Sequence, residues 1–243
     1  MTTVRQASPG RTVPAAPAGR EPVRPALERV AAPVLDRVRA HPFWRGLRAG
    51  TLPAPVLWHF AEQDARFLVP AYARALSRCA ALAPRDAHGE LLSAAATATF
   101  GSLPRLREEL ALLATAVGGA PAAPATTPDP VVHAYASFLL AAPATSFAGA
   151  VGALLPMSWF HLAISEELRR HPAGGPRYAR WVAQFRAHDG FADYLSGFVG
   201  LVEAVAAGCV PAERTHLLEL FSTGADYELS FADSAWQLDH WPD

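Results

Sequence analysis

The stretch from residue 147 to residue 170, FAGAVGALLPMSWFHLAISEELRR, constrains this chain more than any other. It reads as a long buried helix. Phe147, Val151, Leu154, Leu155, Trp159, Leu162 and Leu168 recur close to the period of about 3.6 residues that one helix face demands. Ala148, Gly149 and Ala150 at its start permit a neighbouring helix to approach closely. Glu166, Glu167, Arg169 and Arg170 close it, and His171-Pro172 with Gly174-Gly175 stops it. Pro156 lies in the middle, where proline costs a helix about 3 kcal/mol. Two readings stay open. Pro156 only bends a core helix, or the bend aims Met157, Ser158 and His161 into a pocket.

The rest of the chain has the same helical punctuation. Residues 1–24 are rich in Pro, Ala, Gly, Thr and Arg without periodicity, the composition of a disordered tail. A helix is expected over 25–40, with Pro33 as a bend or true start. A second is expected over 54–82, kinked at Pro70 and introduced by Thr51 and Pro53. In its middle Glu62, Gln63 and Asp64 either form a solvated face or line a cavity. A third runs over 85–99, is interrupted at Gly101–Pro104 and resumes to 117. Residues 118–128 read as a surface loop, because so many prolines cannot sit in a helix. Helices follow over 130–142, 176–187, 191–207 and 212–236. No alternating run is long enough for a strand, so the expectation is all-α: one domain over 25–240, a bundle of seven or eight helices.

Charge and cysteine content exclude several classes. A formal net charge of -1 and the lack of a basic face argue against nucleic acid and anionic lipid. Every basic residue apart from histidine is arginine, which with the abundant alanine and proline reads as a GC-rich bacterial coding sequence. Cys79 and Cys209 form no motif, as expected of a reducing cytoplasm. No signal peptide and no run of eighteen uncharged apolar residues is apparent, so a soluble cytoplasmic protein without a membrane partner is expected.

Three stretches together resemble the TenA (thiaminase II) family, which has the haem-oxygenase-like helical fold. They are HPFWRGLRAGTLPAPVLWHFAEQDARFL from His41, the A-L-L-P-x-x-W of the central helix, and FSTGADYELSF from Phe221. The resemblance implies a homo-oligomer, dimer or tetramer, acting on a small molecule with no cofactor and no metal. Characterised members hydrolyse a C–N bond on an aminopyrimidine. By resemblance, Glu228 is the catalytic proton-transfer carboxylate and Asp64 holds the amino group and ring nitrogen of a heterocycle. Phe67 stacks on the ring, Tyr135 hydrogen-bonds near the catalytic centre, and Tyr227 belongs to the same closing element. Met157 stands where the family has its cysteine nucleophile. A thioether has no proton to lose and forms no such covalent intermediate. Ser158 is next to it but turned about 100° round the helix. His161 and Phe185 stand where tyrosines are common, so a less polar pocket and a more apolar or bulkier ligand are expected. His161 is a candidate second proton-transfer group or a satisfied core histidine.

The first functional reading is therefore an enzyme repurposed from aminopyrimidine hydrolysis, belonging to a bacterial biosynthetic pathway. It would use Glu228 and Asp64 without a cysteine, by hydrolysis, rearrangement or cyclisation. The second is a binding protein without catalysis, for which retention of Glu228 would be unneeded. The third, a non-haem iron oxidase of the same fold, lacks a histidine three residues after Glu108 or Glu109 in GSLPRLREELALLA.

Overall fold

The structure, a computed structural model, describes residues 22–116, 125–171 and 178–242. Within them the chain forms α1 (Val23–Ala40), α2 (Pro42–Ala49), α3 (Ala54–Gln63), a π-helical turn (Asp64–Leu68), α4 (Val69–Ala81) and α5 (Asp86–Ala116). After these come α6 (Pro130–Ala141), a 3₁₀ turn (Ala142–Ala144), α7 (Phe147–Arg170), α8 (Ala179–Phe185), α9 (Phe191–Gly208) and α10 (Pro211–Gln237). No strand occurs among the described residues, and the bundle is all-α as the patterning requires. The extra helices beyond seven or eight are short. One is α2, where His41 accepts the Phe43 N–H on its own Nδ1 and so caps a helix that the HPF motif had hidden.

The central stretch is α7, and its main neighbour is α10. Val151, Leu154 and Leu155 have no exposed surface. Ser146 caps α7 by accepting the Gly149 N–H. The two helices touch through glycine. A Cβ on Gly152 would stand 2.5 Å from the Leu217 carbonyl oxygen, and one on Gly224 would stand 2.9 Å from Cγ of Pro156. Pro156 therefore sits within a continuous helix, its ring against the gap left by Gly224.

Several boundaries differ from the sequence expectation. The first helix begins at Val23, inside the span expected to be a tail. The rest of that tail, residues 1–21, lies outside the described residues, as do most of the 118–128 loop and the Pro172–Gly175 stop of the central helix. The rod over 54–82 changes at the π turn rather than at Pro70. There the Val69 N–H reaches the Asp64 carbonyl, five residues back, and Pro70 has no N–H to restore the regular ladder. Residues 101–104 do not interrupt α5, which passes through Pro104 unbroken. Thr99 and Ser102 turn their hydroxyls onto backbone carbonyls there, Ala95 and Thr99 respectively, and the segment stays helical. The absence of any membrane-type segment also needs correction. By length and composition α7 and α9 could each span a bilayer, although 67% of the α7 window is buried inside the bundle, against 33% for α9.

Candidate active site

The site begins with the π turn. It adds a residue to the helical repeat at Asp64, directly after the buried Glu62 and Gln63. Those two do not form the solvated face that was one reading of the EQD run. Glu62 bonds Arg66 Nε at 3.0 Å and the Ala125 N–H at 3.0 Å; Gln63 Oε1 accepts the Asp129 N–H at 3.0 Å. With both neighbours committed to the segment before α6, Asp64 alone of the three has no side-chain hydrogen bond among the described residues. Its carboxyl is pushed up to about 7, by burial.

Glu228 reaches the same region from α10. The Tyr135 hydroxyl of α6 donates to Glu228 Oε1 at 2.5 Å. Burial drives the Glu228 carboxyl up to about 7; the Tyr135 hydrogen bond lowers it in part, and the charge of Asp64 raises it again. No cation pairs with either carboxylate among the described residues. Both keep part of their surface exposed although they lie deep in the fold. Residues lining an interior recess have that combination. Tyr135 stacks on Tyr227, centroids 4.8 Å apart and planes 6° apart, and Phe138 lies 5.3 Å from Tyr227.

Ser158 of α7 carries a second polar group. Its hydroxyl lies 2.8 Å from the Tyr72 hydroxyl and 3.4 Å from that of Tyr194. Tyr72 also donates to the Leu154 carbonyl at 3.2 Å. Burial raises the Tyr72 phenol well above its ordinary value, helped by Tyr194 and by the charge of Glu228, which ties this group to the carboxylates. Tyr194 continues to Phe191 at 5.4 Å, and Phe191 to His161 at 5.1 Å. His161 also meets Phe185 edge-on at 5.0 Å. Burial, then the nearby His188 and Arg169, push the imidazole down to about 4, so it is neutral at neutral pH. No hydrogen bond links it to Glu228 or Asp64.

The sequence candidates therefore divide. Asp64, Tyr135, Tyr227, Glu228 and Ser158 belong to the polar end. His161 and Phe185 pair with each other on an aromatic wall that continues to Trp181, stacked on Phe185 at 5.0 Å, and to Trp44 at 5.3 Å. Phe67 and Met157 are half-buried against the core, Phe67 within the π turn and Met157 beside Ser158. The His161 wall is aromatic, whereas the carboxylate end is rich in hydroxyls. Sequence reasoning missed Tyr72, Tyr194 and Asp129. Tyr72 looked like a core position, and in Tyr194 nothing marked the hydroxyl as facing inward. Cys79 is no substitute nucleophile, since burial pushes its thiol up to about 12. Among the described residues no group of three His, Cys, Asp or Glu side chains converges as a metal site.

Comparison with known proteins gives a consistent result. The profile of the TENA/THI-4/PQQC family matches residues 28–238. The chain is similar to the aminopyrimidine aminohydrolase of Bacillus subtilis, with 26% identity over 204 residues, covering 84% of this chain and 85% of that one. It is similar to the protein of the same name from Halalkalibacterium halodurans, with 24% identity over 208 residues, covering 83% and 89%. Among solved structures, a TenA homologue from P. horikoshii superposes with a TM-score of 0.71 at 24% identity, covering 89% of this chain and 99% of that chain.

Proposed function

The chain belongs to the TENA/THI-4/PQQC family, and on that premise we propose that it is a hydrolase of a small heterocyclic amine, acting on a C–N bond without a cysteine nucleophile. The observation that carries this is the Tyr135–Glu228 pair beside Asp64. A carboxyl held near 7 gives and takes a proton with little cost at neutral pH. Protonated Glu228 donates to the departing amine nitrogen, which leaves with the C–N bonding electrons. The oxygen of a water molecule bonds to the carbon, and its surplus proton returns to Glu228. The sum is amine plus water giving alcohol plus ammonia or the freed amine. Asp64, its carboxyl held near 7, accepts a hydrogen bond from the amino group of the substrate and, when protonated, donates one to its ring nitrogen. Phe67, half-buried in the π turn, offers an aromatic face to a planar ring, and the stacked Tyr135–Tyr227 pair backs the carboxyl of Glu228. His161, neutral and ringed by Phe185 and Phe191, forms a wall rather than a proton relay.

Aminopyrimidines are the first substrates to test, from the names of the two bacterial relatives. The experiment is turnover of thiamine and of an aminomethyl-aminopyrimidine by the purified protein and by Glu228→Gln. Turnover by the wild type and its loss in the variant supports the reading. Retained turnover in Glu228→Gln removes Glu228 from the mechanism. Binding of the aminopyrimidine by both proteins with turnover by neither favours a carrier. Self-association into a dimer or tetramer is part of the same proposal. Light scattering of a monomer across micromolar concentrations would exclude it.

A further inference from the structure

We infer that Asp129 is a positioning residue: it sets the register between α6 and α10 that lets Tyr135 reach Glu228. This rests on the function proposed above for that pair. Asp129 is 3% exposed and uses every polar atom of its side chain. Oδ1 accepts the Val132 N–H at 2.7 Å and so caps α6. Oδ2 bonds His59 Nε2 at 3.0 Å and shares the Ser234 hydroxyl, at 3.3 Å, with the Phe231 carbonyl of the same helix, at 3.2 Å. Its own N–H donates to Gln63 at 3.0 Å. The partners come from α3 and α10, and each lies close in sequence to a residue of the site. Gln63 precedes Asp64, Tyr135 is six residues into the chain after Asp129, and Glu228 is six residues before Ser234.

That equality of spacing is what makes the cluster more than a buried fastening. The two segments are antiparallel and extend side by side from the Asp129–Ser234 contact, each covering about 9 Å over six residues, to meet again at Tyr135–Glu228. The contacts are two rungs of one ladder. A single rung would leave α6 free to slide or roll against α10, and a 2.5 Å hydrogen bond tolerates little of either. The third arm, through Gln63 and His59, holds the end of α3 at the point where the π turn presents Asp64. The first arm is the helix cap itself, so the start of α6 cannot drift independently of the hub.

Carbon-13 titration of the Glu228 carboxyl in intact labelled protein tests this with or without turnover. Among the described residues the groups facing Glu228 are Asp64 from the π turn, Tyr135 from α6 and Tyr72 from α4, with no arginine or histidine. Ser234→Ala removes one rung and leaves the cap. Asp129→Asn keeps an oxygen for the cap and reverses the polarity toward His59 and Ser234. Both should move the Glu228 midpoint upward by about 0.5 or more, as the bond that lowers it lengthens. In a Tyr135→Phe background neither should move it. Where the substrate is turned over, kcat should fall about three- to tenfold with KM within about twofold. If Asp129→Asn does not fold, Ser234→Ala decides alone. An unmoved midpoint in folded Ser234→Ala, or an equal shift in the Tyr135→Phe background, overturns the inference. A wild type that turns over no aminopyrimidine overturns the proposed function instead, and leaves the titration to decide this point.

Discussion

Glu228→Gln should make the protein more stable in alkaline solution while abolishing the proposed activity. Unfolded, the carboxyl ionises near 4.5; folded, burial moves it to about 7. The native state therefore holds a proton that the unfolded chain has released, and stability falls as pH rises from about 4.5 to about 7. Above that window the full difference applies: about 1.4 kcal/mol per pKa unit over roughly 2.5 units, or about 3 kcal/mol. At pH 5 the same linkage leaves under about 1 kcal/mol. Glutamine does not ionise, so the variant escapes the alkaline loss. Its amide oxygen still accepts from Tyr135, but a neutral acceptor is weaker than a carboxylate by about 1 kcal/mol. The net expectation is a gain of about 2 kcal/mol at pH 9 and none, or a small loss, at pH 5. Urea denaturation of both proteins at the two pH values measures it, with other titrating groups cancelling between them. Asp64 is coupled to Glu228, so the double variant with Asp64→Asn should gain less than the sum of the singles. A difference between variant and wild type that is the same at pH 5 and pH 9 would refute the idea that Glu228 is ionised at a burial penalty.

Four further outcomes follow from particular residues. Gly152→Ala should destabilise by about 3 kcal/mol or more in urea denaturation, because its Cβ would meet the Leu217 backbone oxygen at 2.5 Å; unchanged stability would mean α7 and α10 are farther apart than described. Gly224→Ala, which meets the Pro156 ring at 2.9 Å, should cost less, about 1–3 kcal/mol, and Pro156→Ala should relieve part of that loss in the double variant. Pro104→Ala should stabilise by about 1–3 kcal/mol, since it returns an N–H donor to an unbroken α5, and a lower midpoint would mean the proline is needed there. Met157→Cys places a thiol beside Ser158, and if aminopyrimidine is the substrate it should raise turnover at least about tenfold; a rate unchanged in the folded variant would separate this site from thiol chemistry.

The helices were legible because burial imposes its period on the residues themselves. The stretch over 147–170 declares its face, its small-residue start and its charged end, and α7 has those bounds. Pro104 misled because a proline signal is local, whereas Leu103, Leu110 and Leu113 are held in the core and keep the segment helical. The EQD run stayed open between a solvated face and a cavity lining for the opposite reason. Three polar residues look solvated when read along the chain, and only the segment before α6, brought back across space, gives Glu62 and Gln63 their partners. Asp64 and Glu228 entered through motif resemblance, and periodicity alone would not have singled them out. Tyr72 and Tyr194 had no local mark, since a tyrosine on an apolar face gives no sign of whether its hydroxyl meets solvent or a serine from another helix.

The irregularities of this bundle gather on the elements that carry the site. The π turn lies at Asp64, the proline of α7 stands two residues before Ser158, and the glycine that admits that proline stands four residues before Glu228. Each is unfavourable to a helix taken alone: a widened turn, a missing donor, a residue with excess backbone freedom. Pro156 and Gly224 offset one another, since the ring fills the space that the absent side chain leaves. Their contact fixes α10 against α7 one turn from Glu228, while Asp129 fixes α10 against α6 on the other side of it. Glu228 is thus held between two independent clamps. That rigidity suits a carboxyl without a cation partner, because a mobile one would swing toward water and return to its ordinary acidity near 4.5.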